Sequence, residues 1–439
     1  MKTIFVSDIK KAEFDGQQIT IPGWVRSIRR HKNVVFVDLS DSTGFVQTVF
    51  DKASHSKETL SLLERLTEES AIEITGQVIQ KDQGVEIQVT ELKLINLATK
   101  TLTPSVRSET TDIFDEALTN HLLSNRHIYI RNPKVMSILN FRSQVMSSIR
   151  LWFDQNHFTE VTAPILTGMP LYDDNTAIDF NLRDEHLFLT QCVGFYLESA
   201  VMGFERIYNI GPSFRREESR SKRHLIEYWH IKAEFAWGHF EDVISIVEQL
   251  LHDNAVYIGN NLTSTTKILG TPLCLDGMKT PFPRISYRDA ITELNNNGFD
   301  HPFGKSLGSE EEKFLSREFS TPFWIVGIPR SIEPFPYVIN PEDNQVTRTA
   351  DLIANNGYGE LLGVAEKISN PEMLAERMAE KNRLTDPRYQ WLRDLRQYGT
   401  VPHFGFGMGV ERYLRWVLSI PNVRDCIPFP RAFGRKIFP

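Results

Sequence analysis

The sequence predicts an α+β protein. A small closed β-barrel comes first, and a larger C-terminal domain with an antiparallel sheet flanked by helices follows. Three observations predict it. Residues 18–96 hold five strand-like runs and one helical segment. A polar stretch without periodicity follows from residue 97. Beyond about residue 130, strand runs alternate with amphipathic helical stretches. The expected domains are 1–100 and 131–439, joined by a linker over 101–130.

The barrel strands are ITIPGWV, VVFVDLS, FVQTVF, AIEITGQVI and VEIQVTELKLI. The turn Asp41-Ser42-Thr43-Gly44 separates the second from the third, and Lys81-Asp82-Gln83-Gly84 the fourth from the fifth. The helix ETLSLLERL lies between strands three and four. That order predicts an OB-type barrel, although any small antiparallel β-domain would give the same pattern. TKTLTPSVRSETTDIF is polar and reads as a hinge. In FRSQVMSSIRLWFDQNHFTEV, Val145, Ile149 and Trp152 recur at spacings of four and three. This predicts an amphipathic helix ending near Asn156 and His157. A short strand, Phe158 to Val161, follows and is stopped by Pro164. HLFLTQ, RIYNIGPSF, EYWHIKAEFAW, FWIVGI and HFGFGMG read as strands, with FEDVISIVEQLLHDNAVYI as a helix among them.

Composition narrows the function. The chain has 439 residues and a formal net charge of −7. Dedicated nucleic-acid-binding domains are usually basic, but a local basic face sets the field a partner meets. No run approaches the roughly 20 apolar residues of a membrane span. The N-terminus lacks the apolar core of a signal peptide, so a cytosolic protein is expected. Cys192, Cys274 and Cys426 are odd in number and far apart, which excludes a disulfide framework and a CxxC zinc site. HExxH, GxxxxGK[ST] and a strand–GxGxxG–helix unit are all missing.

FRREESRSKRHLIEYWHIKAEF carries the densest chemistry, read as strand, turn ESRSKRH, strand. Side chains alternate faces along a strand, so Arg215 and Glu217 share a side, as do Tyr228 and Glu234. A planar guanidinium suits a phosphate, and a neighbouring carboxylate suits an adenine amino group or magnesium-bound water. Tyr228 has the shape to stack on a purine. An isolated Arg215/Glu217 pair is better explained as an ion pair. The C-terminal PHFGFGMGVERYLRWVL changes the balance, because Gly405, Gly407 and Gly409 alternate before Glu411 and Arg412. Glycines on one side of a strand admit a flat ligand, and Arg412 at the helix start can cover its other face. Together the two stretches point to a nucleoside triphosphate with Mg²⁺.

These segments resemble the class II aminoacyl-tRNA synthetases of the aspartyl/asparaginyl subgroup over nearly the whole chain. FRSQVMSSIRLWFDQNHFTEVTAPIL resembles the dimer-forming first motif, FRREESRSKRHLIEYWHIKAEF the second and GFGMGVERYLRW the third. GWVRSIRRHKNVVFVDLSDSTGFVQTV resembles the anticodon-binding barrel. Trp229, YQWLRDLRQYGTVPH and VRDCIPFPRAFGR look most like the asparaginyl members. The resemblance implies an amino acid, asparagine in that branch, activated by ATP as an adenylate and passed to the 3′-end of tRNA by a homodimer. Arg215 would bind the α-phosphate and the carboxylate, Glu217 the adenine or the metal, and Arg223 and His224 the far phosphates. Tyr228 and Arg412 would sandwich the adenine. Arg215, Glu217 and Arg412 thus form the implied catalytic set. Glu360 would hold Mg²⁺, with Asp351 a second candidate. Phe36 would stack on an anticodon base, Gln47 read its edge, and Arg26 and Arg29 meet phosphates.

The amino-acid half departs from this pattern. A TVSGQL-like loop is replaced by Thr190-Gln191-Cys192-Val193-Gly194-Phe195, with Glu198 in place beyond it. Gly327-Ile328-Pro329 replaces Asp-Tyr-Pro, and Gly363-Val364-Ala365-Glu366-Lys367 replaces Gly-Gly-Ser with its arginine. The implied amino-acid pocket is therefore Gln191, Glu198, Gly363 and Lys367, with Asp173 and Asp174 as loose candidates for an ammonium group. Lys367 keeps the charge but not the two-pronged fork. Two further expectations stay open: a paralogue using adenylate chemistry on another acyl substrate or acceptor, and a non-catalytic tRNA binder.

Overall fold

The computed structural model describes all residues except 83, 172–174, 220, 276, 277, 438 and 439. Gln83, Asp173, Asp174 and Arg220 of the sequence reading lie outside the described residues. The chain divides into two compact units, Met1–Asp112 with Arg131–Pro133, and Ile113–Ile130 with Lys134–Pro439.

The first unit contains β1 (Gln18–Arg30), β2 (Val34–Asp41), β3 (Gly44–Asp51), helix α1 (Lys57–Arg65), β4 (Ala71–Lys81) and β5 (Gly84–Asn96). The strands close into a barrel in the order β1-β2-β3-β5-β4. Only β3 and β5 run parallel, and α1 lies in the crossover that leads round to β5. Alternation sets the inside. Ile19, Ile21 and Val25 of β1 meet Val37, Leu39, Ile72, Ile74 and Val78 in one apolar core. α1 starts where Ser56 Oγ accepts from Thr59 N–H, and it buries Leu63 in that core. The OB-type barrel expected from strand order is the fold observed.

The second unit opens with α2 (Pro133–Gln155), β6 (Thr159–Glu160), β7 (Leu166–Thr167), β8 (Ile178–Leu182), β9 (Glu185–Leu189) and α3 (Gly194–Phe204). β10 (Arg206–Phe214), β11 (Glu227–Ala236), α4 (Phe240–Asn261), β12 (Arg284–Ser286), α5 (Ser309–Leu315) and β13 (Phe323–Val326) follow. β14 (Thr349–Ala354), β15 (Gly359–Lys367), β16 (His403–Gly409) and α6 (Val410–Val417) complete it. The main sheet has the order β12-β13-β14-β15-β16-β11-β10-β6, and β7-β9-β8 form a smaller one. The main sheet is antiparallel except at its two edges, where β12/β13 and β10/β6 are parallel. Parallel partners need long crossovers, and both pairs have them: the small sheet with α3, and a helical stretch containing α5.

The periodicity of α2 correctly predicts its buried face. Val145, Ile149, Trp152 and Phe153 are all buried, and Phe153 stacks on Tyr208 of β10 with ring centres 4.1 Å apart. A second anchor is polar. Arg142 of α2 donates to Glu411 Oε1 of α6 at 2.7 Å, and Glu411 Oε2 accepts from the Trp229 N–H of β11 at 2.9 Å. One carboxylate thus ties three elements, with both charged partners buried. Removing one partner of a buried pair strands the other. Arg142→Met is expected to destabilise the protein by about 3 kcal/mol or more, and Arg142→Met/Glu411→Met to recover much of the loss. Thermal unfolding of both variants checks this; a single variant as stable as wild type overturns it.

Candidate active site

β11 presents Tyr228, His230, Lys232 and Glu234 to one face, and pairs with β16 from His230 to Ala236. His230 lies opposite Gly409, Lys232 opposite Gly407, and Glu234 opposite Gly405. The β11 side chains lie across the neighbouring strand. A Cβ on Gly405 would stand 2.4 Å from Glu234 Cδ, and one on Gly407 2.7 Å from His230 Nε2. Glycine is therefore required here by close approach. This ladder underlies two cavities that share Arg215, His230, Glu360 and Gly407.

The first cavity, about 620 Å³, gathers Arg215, Glu217, Arg223, His224, Tyr228, Glu360 and Arg412, the whole ATP set read from the sequence. The strand expected to run through Glu217 ends at Phe214. Arg215 N–H still donates to Ile226 O, but Arg216 N–H turns away to Thr176 O at 2.7 Å. Arg215 Nη1 donates to Glu217 Oε1 at 3.3 Å, and Glu217 Oε2 lies 3.3 Å from His224 Nε2. His224 Nδ1 is 2.5 Å from Ser221 Oγ. Arg412 donates to Glu360 Oε2 at 2.9 Å. Arg223 pairs with Glu312 of α5, whose Oε2 also accepts from Glu360 N–H at 3.0 Å. Tyr228, Glu217 and Glu360 together raise the pKa of Arg215. Burial, then the charge of Arg412, lowers that of His224. Burial followed by Lys232, Arg215 and Arg412 holds His230 well below its ordinary value, so its imidazole is neutral at pH 7.

The second cavity is lined by Lys232, Glu333, Asp351, Gly363 and Lys367 besides the shared residues. Burial, then the Glu360, Glu333 and Glu312 charges, pushes Asp351 well above the usual carboxylate range. Burial pushes Glu360 up, but Arg412, Arg215 and Arg223 together outweigh it and the net shift is down. Two such neighbouring carboxylates are hard oxygen donors and fit Mg²⁺, which keeps most of its waters and binds through one or two carboxylates plus phosphates. The described residues contain no group of three or more His, Cys, Asp or Glu placed to hold a metal by themselves.

The four amino-acid-pocket residues separate into two pairs. Gly363 and Lys367 line the second cavity, whereas Gln191 and Glu198 are buried and do not. Gln191 bonds to two residues outside its own segment: its Oε1 accepts from Leu171 N–H at 2.9 Å and its Nε2 donates to Thr176 Oγ1 at 2.8 Å. Glu198 sits in a closed cluster. Lys367 Nζ donates to Glu198 Oε1 at 3.1 Å and to Glu234 Oε1 at 3.0 Å, and Arg396 pairs with Glu198 Oε2. Burial alone would raise Glu198, yet Lys367 and Arg396 bring it well below the usual range.

In the barrel unit, Arg29 donates to Asp38 Oδ2 at 3.0 Å and to Gln47 Oε1 at 2.9 Å, and its guanidinium lies 5.9 Å from the Phe36 ring centre. Phe36, Gln47 and Arg29 therefore form one half-exposed patch, joined by Ser27 through its bond to Asp38 at 2.6 Å. Phe36 is outside the barrel core. Arg26 contacts different groups, lying 3.9 Å over the Phe45 ring and 3.3 Å from Glu109.

Sequence reasoning missed His230, Lys232, Glu312 and Glu333. The first two were within reach, because they lie between Tyr228 and Glu234 at the same parity. Glu312 and Glu333 had no sequence signal, since only tertiary folding brings them to Glu360.

Comparisons with known proteins agree in direction. A family model for tRNA synthetases class II (D, K and N) matches residues 119–432. One for the OB-fold nucleic acid binding domain matches residues 19–95. The asparagine–tRNA ligase of Pyrococcus abyssi is 34% identical over 444 residues, covering 99% of each chain. That of Desulforamulus reducens is 34% identical over 423 residues, covering 95% of this chain and 96% of its own. The crystal structure of asparaginyl-tRNA synthetase from Pyrococcus horikoshii complexed with asparaginyl-adenylate superposes with a TM-score of 0.92 at 32% identity, covering 99% of each chain. The Entamoeba histolytica asparaginyl-tRNA synthetase in complex with asparaginyl-adenylate gives 0.83 at 29% identity, covering 97% of each.

The charges here set a pH dependence. Burial, reinforced by Glu360, pushes Glu333 up to about 7 from an ordinary 4.5. The folded protein thus holds this proton across a window in which the unfolded chain has released it. The group makes stability fall as pH rises through that window. Glu333→Gln is expected to flatten this part of the melting-temperature profile, measured without Mg²⁺ or ATP. An unchanged slope overturns the assignment.

Proposed function

The chain belongs to the class II tRNA synthetase family, and from that membership we propose that it activates asparagine with ATP and transfers the asparaginyl group to the 3′-end of tRNA. The observation that carries the reading is the junction of the two cavities, where a nucleotide site and an acyl site share Arg215, His230, Glu360 and Gly407. A carboxylate oxygen of the amino acid attacks the α-phosphorus there, and the bond to pyrophosphate breaks. Arg215 neutralises charge on the reacting carboxylate and α-phosphate. Arg223 and His224 hold the far phosphates, and Tyr228 and Arg412 enclose the adenine. Glu217 faces the adenine side, beside Arg215 and His224. Such a step requires positioning and charge stabilisation more than a general base. Glu360 and Asp351 would hold Mg²⁺, which would supply further neutralisation of the phosphates. In the second step a ribose hydroxyl of tRNA attacks the acyl carbon and AMP leaves.

The barrel reads the anticodon. Phe36 stacks on a base, Gln47 meets its edge, and Arg29 and Arg26 meet phosphates. A net charge of −7 is compatible with this, since only one face has to attract RNA. The enzyme works in the cytosol as a homodimer. Phe204 and Trp237, 57% and 67% exposed, flank the bond from Ala236 N–H to Glu205 O at one end of β10 and β11, an apolar surface that a second copy would cover. No helix among the described residues is long and apolar enough to cross a membrane.

One observation favours a second reading, a paralogue that adenylates a different acid: Lys367 is closed on Glu198 and Glu234. ATP–pyrophosphate exchange with each standard amino acid separates the two. Exchange driven by asparagine, with charging of tRNA, is expected; exchange with other acids alone would sink the asparagine reading. Arg215→Ala is expected to lower exchange by about 10²-fold or more. Phe36→Ala is expected to raise the KM for tRNA about tenfold and leave exchange unchanged.

A further inference from the structure

Glu312 has no part in the chemistry above, yet it grips two residues that do. It is 5% exposed, in the first turn of α5, and does not line the first cavity, whereas Arg223 and Glu360 do. One of its oxygens, Oε2, holds both. It pairs with Arg223 Nη1 and accepts from Glu360 N–H at 3.0 Å. Gly359 makes the arrangement possible. Its φ of +82° lies in the left-handed region that glycine favours, and a Cβ there would overlap Arg223 Nη1 and stand 2.7 Å from Glu312 Oε2. The guanidinium therefore lies against bare backbone and is held at one end. Its Nε is buried and has no hydrogen-bond partner among the described residues. A buried donor without an acceptor is costly, and an oxygen of a ligand would satisfy it.

Arg223 comes from the connection between β10 and β11, outside any helix or strand. Secondary structure does not fix its long side chain. An arginine free to rotate gives up rotamer freedom when it meets a phosphate, and one already held does not. Keeping a buried carboxylate for this is itself unfavourable. Burial pushes Glu312 up against the pull of Arg223, and such groups concentrate at functional sites.

We propose that Glu312 is a positioning residue for the triphosphate: by holding Arg223 Nη1 it sets the guanidinium so that Nε–H donates to the far phosphates of ATP. Glu312 does not touch the nucleotide, and its effect is confined to the phosphates that ATP has and AMP lacks. The proposal rests on the adenylate reading, which gives Arg223 those phosphates.

The test is calorimetric binding of ATP and of AMP, with Mg²⁺ and without amino acid, to wild type, Glu312→Leu, Glu312→Gln and Arg223→Gln. Glu312→Leu is expected to weaken ATP binding about five- to tenfold and to leave AMP binding unchanged. Glu312→Gln keeps an acceptor for Arg223, is expected to recover part of the loss, and serves alone if the leucine variant does not fold. Equal losses for ATP and AMP would show a general structural role and overturn the proposal. ATP binding unchanged or tightened in the Glu312 variants, with Arg223→Gln weakened, overturns it and leaves the adenylate reading intact. ATP binding that Arg223→Gln does not alter removes Arg223 from the phosphates, and the proposal falls with that part of the reading.

Discussion

The catalytic unit depends on a ladder in which one strand carries the side chains of the site face and its neighbour meets them with glycine. β11 lays His230, Lys232 and Glu234 across β16, and Gly405 and Gly407 leave the space they occupy. Ordinary antiparallel pairs place side chain beside side chain, which would lift both cavities off the sheet. Here the backbone of β16 is itself the surface. Arg412 follows immediately, because α6 begins as soon as the last of the alternating glycines has passed. The adenine-side arginine and the base of the acyl cavity are thus positioned by one strand and the helix it feeds.

Buried charge is handled in two ways. Below the acyl cavity, Glu198, Glu234, Lys367 and Arg396 form a closed and mutually paired cluster. Such a cluster adds little stability over an apolar core, but it strongly disfavours losing any one member. Beside the nucleotide cavity the pairs are open: Arg412 with Glu360, and Arg215 with Glu217. They line a space into which a ligand can reach. The first arrangement fixes shape, and the second, on the proposed reading, holds charge where phosphates would lie.

Much of this was legible in the sequence. Period-two alternation gave the barrel strands, and spacings of four and three gave α2. The mechanisms were local, so the residues themselves carried them. The alternating glycines together with Arg215, Glu217, Tyr228 and Arg412 were readable for the same reason, as strand parity places them before any tertiary contact is known. The parallel edges of the main sheet were not legible, because strand direction depends on where long crossovers return. Glu312 reaches Arg223 and Glu360 from a helix with an ordinary acidic first turn, which nothing in its neighbourhood distinguishes. The end of β10 at Phe214 was hidden likewise, since it is decided by a bond to Thr176. The split of Gln191 and Glu198 from Gly363 and Lys367 depends on depth, and sequence spacing carries no measure of depth.

The open pairs have a consequence for how substrates arrive. Each guanidinium that turns to the nucleotide would release its carboxylate, and a released carboxylate in a low-dielectric wall needs a new counter-charge. Glu360, let go by Arg412 as it turns to the adenine, would become a better home for a divalent cation, and a cation there would make Arg412 easier to release. On the proposed reading nucleotide and metal would be thermodynamically linked through a shared set of partners, each raising the affinity of the other by the same factor. The resting protein acts as its own competitor for both, and the two ligands displace it together.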